Sequence, residues 1–338
     1  MNETSDLPHI SVLIPTLNEE RYIAKCLDSL LSGGYPKDRV EFVVADGGSR
    51  DKTREIVSAF GEREPKVRWI PNPLVHQAGG VNAAAATATV ESKYLIRVDA
   101  HALYPTGFLG DVVAVAEETS AELVVFVNEP HFETCFQRAV AYAFAHPLGV
   151  GDSKYRLGNF TGEVEHGQHG CFRRDCFEKL GGYDPEIMPN EDAELSYRVW
   201  QSGGRAYLSS RLRMKYFPRR TLHALGRQYF LYGYGRSLNC AKHRQLPRLR
   251  QMAPPLLLAL ELIVLAVAPF HPLALLLLAP YALLIIAVTL LAAVKSRSLC
   301  LFWLIPVFST MHHAWATGFY AGCAEALRRL SRRNCSAN

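Results

Sequence analysis

The 338 residues carry 37 Lys and Arg against 32 Asp and Glu, a mild net charge of +5, with 49% hydrophobic and 20% charged residues. That length holds one large domain or two smaller ones. The eight cysteines are scattered and the nearest pair, Cys171 and Cys176, lacks zinc-finger spacing; the sequence predicts reduced thiols of a cytosolic compartment and no disulfide framework. The start, Met-Asn-Glu-Thr-Ser-Asp, has neither the basic region nor the apolar core of a cleavable signal peptide.

In chain order, Ile10 to Ile14 reads as a short buried strand broken by Pro15-Thr16-Leu17-Asn18. Asn18 then suits the N-cap of a helix whose apolar face holds Ile23, Cys26, Leu27, Leu30 and Leu31. A second strand, Val40 to Ala45, runs into Asp46-Gly47-Gly48-Ser49-Arg50-Asp51, where Asp51 suits the cap of a helix through Phe60. Val67 to Ile70 is a third strand, and Gly79-Gly80 leads into an Ala-rich helix from about Asn82 to Glu91. The fourth strand, from Tyr94, ends in Asp99 with His101 two places on. A helix around 107–119 and a strand at Leu123 to Val127 follow. The alternation predicts an α/β fold with a mainly parallel sheet covered on both faces.

Ligands of such sheets bind beyond the carboxyl ends of the strands. Thr16 and Glu19 follow the first strand, Asp46 the second, and Asp99 and His101 the fourth. Each alone reads equally well as a cap, a turn former or a solvated loop residue; together they predict one polar edge. An aspartate with an imidazole two residues on also suits a divalent cation. No G-x-G-x-x-G follows the first strand and no P-loop motif occurs, so dinucleotide and P-loop readings lose their main support.

Ser11-Val-Leu-Ile-Pro-Thr-Leu-Asn-Glu-Glu20, Val44-Ala-Asp-Gly-Gly-Ser-Arg-Asp-Lys-Thr53 and Arg97-Val-Asp-Ala-His101 resemble, in this order, family 2 glycosyltransferases of the GT-A fold. Within that family the resemblance is to exopolysaccharide glucosyltransferases of the succinoglycan type, and it covers roughly Ile10 to Arg250. It implies that Pro15, Thr16, Glu19 and Asp46 cradle the nucleoside of a UDP-sugar. It also implies that Asp99 belongs to a D-x-D motif holding a metal on the diphosphate. Here His101 stands where the second aspartate would be, which favours Mn²⁺ over Mg²⁺ because imidazole is the softer ligand.

Farther on, His166-Gly-Gln-His-Gly-Cys-Phe-Arg-Arg174 reads as a strand entering a turn, and Gly181-Gly182-Tyr183-Asp184-Pro185 as a loop. Asn190-Glu191-Asp192 opens a helix through about Gln201. Acidic residues there also complement a helix dipole. The family resemblance instead implies an E-D motif, with Asp192 as general base and Glu191 orienting the loop or the acceptor. Gly149 to Gly158 is read as a lid over the site or, equally, an ordinary surface loop. His146, His166 and His169 match no metal spacing and are read as polar lining or surface.

Residues 211–250 are basic and aromatic, including Arg219, Arg220, Arg227 and Arg236. A single-stranded nucleic-acid groove has this composition, but the apolar block that follows favours a membrane-interface helix and no nucleic-acid partner. Those four arginines suit a lipid diphosphate. Gln245-Leu-Pro-Arg248-Leu249 lacks the tryptophan of the Q-x-x-R-W motif of processive synthases and is read as accidental. From Met252 onward the chain is mostly Leu, Ala, Ile and Val. Pro254 to Phe270 is a marginal span containing Glu261; Leu273 to Val294 is a clear one; Leu299 to about Cys323 holds Pro306, His312 and His313. Lys295 and Arg297 suggest a cytosolic face, whereas the terminal arginines conflict with a third full span, leaving two or three.

The expectation is a catalytic domain over 1–250 and membrane helices over 251–338, in an inner membrane with the catalytic domain facing the cytosol. The expected activity is inverting, metal-dependent transfer of a hexose, glucose by resemblance, from UDP to a polyprenyl-diphosphate-linked oligosaccharide in exopolysaccharide assembly. The alternatives are a processive polysaccharide synthase and a catalytically silent nucleotide-binding membrane scaffold.

Overall fold

The computed structural model describes residues 7–165 and 167–336. The elements in chain order are β1 (His9–Thr16), α1 (Ile23–Leu31), β2 (Val40–Asp46), α2 (Thr53–Arg63), β3 (Val67–Pro71), α3 (Gln77–Thr87), β4 (Ser92–Arg97), β5 (Ala102–Leu103), α4 (Phe108–Thr119), β6 (Leu123–Pro130), α5 (Cys135–Phe144), α6 (Pro147–Val150), α7 (Lys154–Leu157), β7 (Gly162–Val164), β8 (Gly170–Arg173), α8 (Arg174–Lys179), α9 (Glu191–Gln201), β9 (Ala206–Tyr216), α10 (Leu222–Lys242), α11 (Leu249–Val267), α12 (Ala279–Lys295) and α13 (Leu304–Ser336). Packing divides them into two compact units, one of residues up to Glu129 with Lys154–Phe217, the other of Pro130–Ser153 with the chain from Pro218 onward.

The first unit is built on one sheet with strand order β3-β2-β1-β4-β8-β6-β9-β5, and β7 on β9. The pairs β1/β2, β1/β4 and β2/β3 are parallel. Every residue of β2 is buried, as befits a parallel strand covered on both faces. Val12, Ile14, Phe42 and Val44 pack into one core, while Leu13, Val43 and Ala45 face a second. The predicted alternation does not continue unbroken into β6. Instead β8 inserts between β4 and β6 and runs antiparallel to both.

Local differences have local causes. Helix α1 starts at Ile23, not after Asn18, and has no side-chain cap. Asn18 sits at φ 56 and accepts a hydrogen bond from Arg50 N at 2.9 Å, which ties the first loop to the second. Helix α3 starts five residues earlier than expected because His76 caps it, accepting from Gly79 N at 3.0 Å; the two glycines lie inside the helix. The 211–250 stretch is not one interface helix. Its first part is β9, where Leu212, Met214 and Tyr216 are buried and alternate with exposed Arg211, Arg213 and Lys215, the period of a half-buried strand. Residues 149–158 form the end of α6, a turn and α7.

In the second unit α10 lies tightly against α13. A Cβ on Gly318 would fall 1.9 Å from Phe230 O, and one on Gly233 would fall 2.1 Å from Trp315 O. Small residues let two helix backbones approach this closely. The sequence-based boundary at 250 therefore falls after α10, whereas the compact units part between Phe217 and Pro218. Among the described residues, three helical stretches are long and apolar enough to cross a membrane: Leu249–Val267, Pro272–Lys295 and Leu299–Arg332. Polar groups within them meet one another: His313 Nε2 lies 2.7 Å from Glu261 Oε2, and His312 Nδ1 lies 2.8 Å from Tyr281 Oη. The expectation of reduced cysteines is corrected at one pair, because Cys135 at the start of α5 and Cys300 form a disulfide with Cα atoms 4.8 Å apart. Their separation of 165 positions in the sequence leaves no local signature of the pairing. Phe136 and Trp303 stack edge-to-face beside it at 5.5 Å.

Candidate active site

The strand ends supply the first half of the site. In the parallel register Thr16 lies opposite Asp46, and Pro15, Thr16 and Asp46 are buried. The Asp46 carboxylate accepts from Ser49 N at 3.2 Å and Ser49 Oγ at 2.5 Å, so it shapes its own turn. Glu19 N donates to Thr53 Oγ1 at 2.7 Å, and Asp51 accepts from Glu20 N at 3.0 Å. The loops after β1 and β2 are thus laced to each other.

Asp99 follows β4 and is 5% exposed. Gln77, at the start of α3, donates from Nε2 to its Oδ1 at 2.9 Å. His169, immediately before β8, puts Nε2 2.6 Å from its Oδ2. Burial works to raise the Asp99 carboxyl, but His169, His101 and Arg97 hold it well below the usual carboxylate range. Burial lowers His169 despite Asp99 beside it. Of the two readings of His169, polar lining or surface, the surface one falls away: it is a buried partner of Asp99. His146 caps α6, accepting from Leu148 N at 3.1 Å, and His166 lies outside the described residues.

His101 bridges two strand ends. Its Nδ1 is 2.9 Å from Glu19 Oε1, and its Nε2 is 3.9 Å from Asp99 Oδ2. In the neutral tautomer with Nδ1–H toward Glu19, the form a metal would select, Nε2 presents its lone pair on the Asp99 side, the arrangement by which a carboxylate orients a ligating imidazole. Two donors each about 2.1 Å from one cation lie at most about 4.2 Å apart, so Asp99 and His101 fit a shared ion. Among the described residues no set of three or more His, Cys, Asp or Glu converges on a metal position. The pair thus suits a cation completed by water and phosphate oxygens, as Mg²⁺-type sites often are.

The second half comes from α9. Its first turn carries Glu191, Asp192 and Glu194. Glu194 is fully buried and paired with Arg198 at 2.7 Å. Arg198 in turn donates to Leu180 O at 2.5 Å and Gly182 O at 2.6 Å, so α9 braces the 180–185 loop. Gly182 has φ +69, and a Cβ there would meet Asn82 Oδ1 at 2.6 Å; only glycine fits.

Arg97 joins the halves. It is 1% exposed. Its Nη1 contacts Asp192 Oδ1 and lies 3.2 Å from Tyr183 Oη. Its Nη2 is 3.7 Å from both Asp99 Oδ1 and Glu191 Oε1. Burial pushes the Asp192 carboxyl up to about 8, with Arg97 opposing and Glu191 adding to the rise. One cation thus faces three carboxylates. The sequence held a signal for it, a charged residue inside the apolar run Tyr94 to Val98, since a charge inside a buried strand requires partners. Gln77, Tyr183 and His169 had no comparable signal.

Arg219, Arg220, Arg227 and Arg236 belong to the other unit. Arg220 pairs with Glu133, Arg219 and Arg227 are exposed, and Arg236 is partly buried.

Comparison with known proteins agrees with this architecture. The chain is 41% identical over 243 residues to the succinoglycan biosynthesis protein ExoA of Rhizobium meliloti, covering 72% of this chain and 73% of that protein. It is 24% identical over 242 residues to a dolichyl N-acetyl-α-D-glucosaminyl phosphate 3-β-D-2,3-diacetamido-2,3-dideoxy-β-D-glucuronosyltransferase of Methanococcus voltae, covering 69% and 74% of the two chains. Its fold is similar to that of the mannosyltransferase PcManGT of Pyrobaculum calidifontis, solved in complex with GDP-Man and Mn²⁺, with a TM-score of 0.62, 21% identity and coverage of 92% and 89%. Residues 11–181 match the sequence profile of glycosyl transferase family 2, and the chain belongs to that family.

Proposed function

We propose that the protein is a membrane-anchored inverting transferase that moves a hexose, glucose by resemblance, from UDP to a polyprenyl-diphosphate-linked oligosaccharide in exopolysaccharide assembly. The observation that carries the reading is the buried Arg97, which sets Asp99 at a strand end beside Asp192 on α9. Donor and acceptor chemistry then share one charge centre. Pro15, Thr16, Glu19 and Asp46 bound the nucleoside side. Asp99 and His101 would hold a divalent cation, which when bound neutralises the diphosphate leaving group. Asp192 takes the proton of the acceptor hydroxyl as its oxygen attacks the anomeric carbon; the bond from that carbon to the diphosphate oxygen breaks and UDP leaves. Attack opposite the leaving group inverts the centre. Glu191 orients the loop through Asn190 N, 2.9 Å from its Oε2.

The exopolysaccharide role is supported by the likeness to ExoA, and a lipid-linked acceptor by the Methanococcus relative named for a dolichyl-phosphate sugar. The apolar helices beyond 250 would anchor the enzyme in an inner membrane, catalytic unit in the cytosol, with Arg219, Arg220, Arg227 and Arg236 near the lipid diphosphate. Membranes holding the protein, incubated with labelled nucleotide sugars and lipid extract, test this. One glucose added per lipid-linked acceptor is expected; a long polymer would indicate a processive synthase, and no product from any donor would indicate a silent scaffold.

A further inference from the structure

We propose that Tyr183 is a positioning residue for the base: its hydroxyl, with the Arg97 guanidinium, clamps one oxygen of Asp192 so that the other is presented to the acceptor. The inference rests on the reading of Asp192 as general base. Tyr183 is 1% exposed. Its ring stands edge-on to Phe172 at 5.9 Å and to Phe177 at 6.0 Å. Asn82 on α3 holds its backbone from both sides, accepting from Tyr183 N at 2.9 Å and donating to Tyr183 O at 2.7 Å. A phenylalanine would satisfy all of this. The hydroxyl is therefore not required to place the ring, yet it is buried, and a buried hydroxyl is costly without partners.

Its partners are both catalytic-side groups. It donates to Asp192 Oδ1 at 2.8 Å and accepts from Arg97 Nη1 at 3.2 Å. Burial, with Asp192 adding, keeps the phenol well above its ordinary pKa, so it remains a donor. Both side-chain contacts of the Asp192 carboxylate fall on Oδ1, leaving Oδ2 to accept a proton. The groups facing Asp192 are Arg97 from the end of β4, Tyr183 from its loop, Glu191 from α9 itself and, farther off, Asp99 just after β4. Of these, Tyr183 is the one neutral donor, and deleting it changes no net charge.

The test compares Tyr183→Phe, 3-fluorotyrosine at 183, and Asp192→Asn in the full-length protein in membranes, reading kcat, UDP affinity and the pH profile. Tyr183→Phe is expected to lower kcat about ten- to a hundredfold, the worth of a hydrogen bond to a charged group, with UDP affinity unchanged. The acid limb of kcat should move to higher pH, because the carboxylate loses a bond that favours its charged form. Fluorotyrosine, a stronger donor, should move it to lower pH. An unmoved limb in both variants overturns the proposal, whether or not kcat falls. Asp192→Asn near normal turnover overturns the base reading itself, a result distinct from an unmoved limb with Asp192→Asn inactive.

Discussion

In the sheet-bearing unit, Arg97, Asp99, Glu191 and Glu194 are each 5% exposed or less, while in the helical unit Leu273 and Leu291 are 78% and 71% exposed. Each unit departs from the usual partition of residues in its own way, the first by a few charges buried within its apolar cores, the second by exposed leucines. Buried charges persist only when paired, and here the pairing is nearly complete: Arg97 faces three carboxylates and Glu194 is matched by Arg198. Open leucines persist without penalty only when the surroundings are apolar too. The contrast indicates that the first unit spends stability on a charge centre, while the exposed leucines of the second fit a membrane region.

The largest expected effect tests the charge centre. Asp192→Asn keeps the shape and removes the proton acceptor, so transfer should fall ~10²–10⁴-fold with UDP binding nearly intact; isothermal titration beside a transfer assay checks both. In the natural protein the base is raised to about 8. As the proposed base it would be protonated and idle below that pH and active above it, so transfer should climb as pH rises through about 8. A flat profile across that region would remove Asp192 from the rate-determining proton transfer.

Next is the lipid face. Leu284 is 48% exposed on α12. In water, Leu284→Arg would be harmless or would improve solubility. At the middle of a bilayer-spanning helix it costs roughly 2.5–3.5 kcal/mol. Less protein in the carbonate-resistant membrane fraction is expected, and the opposite sign would make the helical unit an ordinary soluble bundle.

The difference between the units also explains what could be read in the sequence. The ends of β1, β2 and β4 were legible because an all-buried parallel strand is a run of apolar residues and its end is an abrupt change to Asp or Thr. Asp99 and His101 were legible for that reason. Arg97 was visible as an oddity, but its partners Glu191 and Asp192 lie more than 90 residues away, and pairing over such distances leaves no periodicity. His169 was left open between polar lining and surface because a histidine in a Gly-rich stretch looks the same buried or solvated. The alternation of Leu212, Met214 and Tyr216 with basic residues was present, but it is masked by the arginine-rich sequence that continues into α10. The Cys135–Cys300 pair was beyond reach for the same reason as Arg97.

A third prediction compares packing in the two units by one substitution. Gly110 on α4 has open space where a Cβ would sit, whereas on Gly318 of α13 it would strike the backbone of α10. Gly110→Ala should be neutral or stabilising by about 0.4–1 kcal/mol. Gly318→Ala should destabilise by about 1–3 kcal/mol through overpacking. Limited proteolysis of the purified protein against temperature reads each; equal sensitivity of the two variants would mean that α10 and α13 do not meet as closely as described.

The smallest effect concerns the residue that departs from the D-x-D pattern. His101 places an imidazole nitrogen 3.9 Å from Asp99 Oδ2 and is held by Glu19 at 2.9 Å. A nitrogen donor favours later transition metals, while Mg²⁺ prefers oxygen and keeps its waters. Mn²⁺ should therefore support transfer better than Mg²⁺, and His101→Asp should narrow that preference by restoring a hard oxygen. The shorter aspartate also gives up the contact with Glu19 and leaves two carboxylates facing each other, so a modest loss of overall activity is expected with either metal. The informative quantity is accordingly the Mn²⁺/Mg²⁺ ratio, measured both for UDP binding and for transfer. Glu19→Gln supplies a control, since it keeps the side chain's reach while weakening the hold on Nδ1–H, and should lower affinity for both metals without reversing their order. An unchanged ratio in His101→Asp would place His101 outside the metal shell, as a hydrogen-bond link between the ends of β1 and β4, and leave Asp99 as the one protein ligand in the pair.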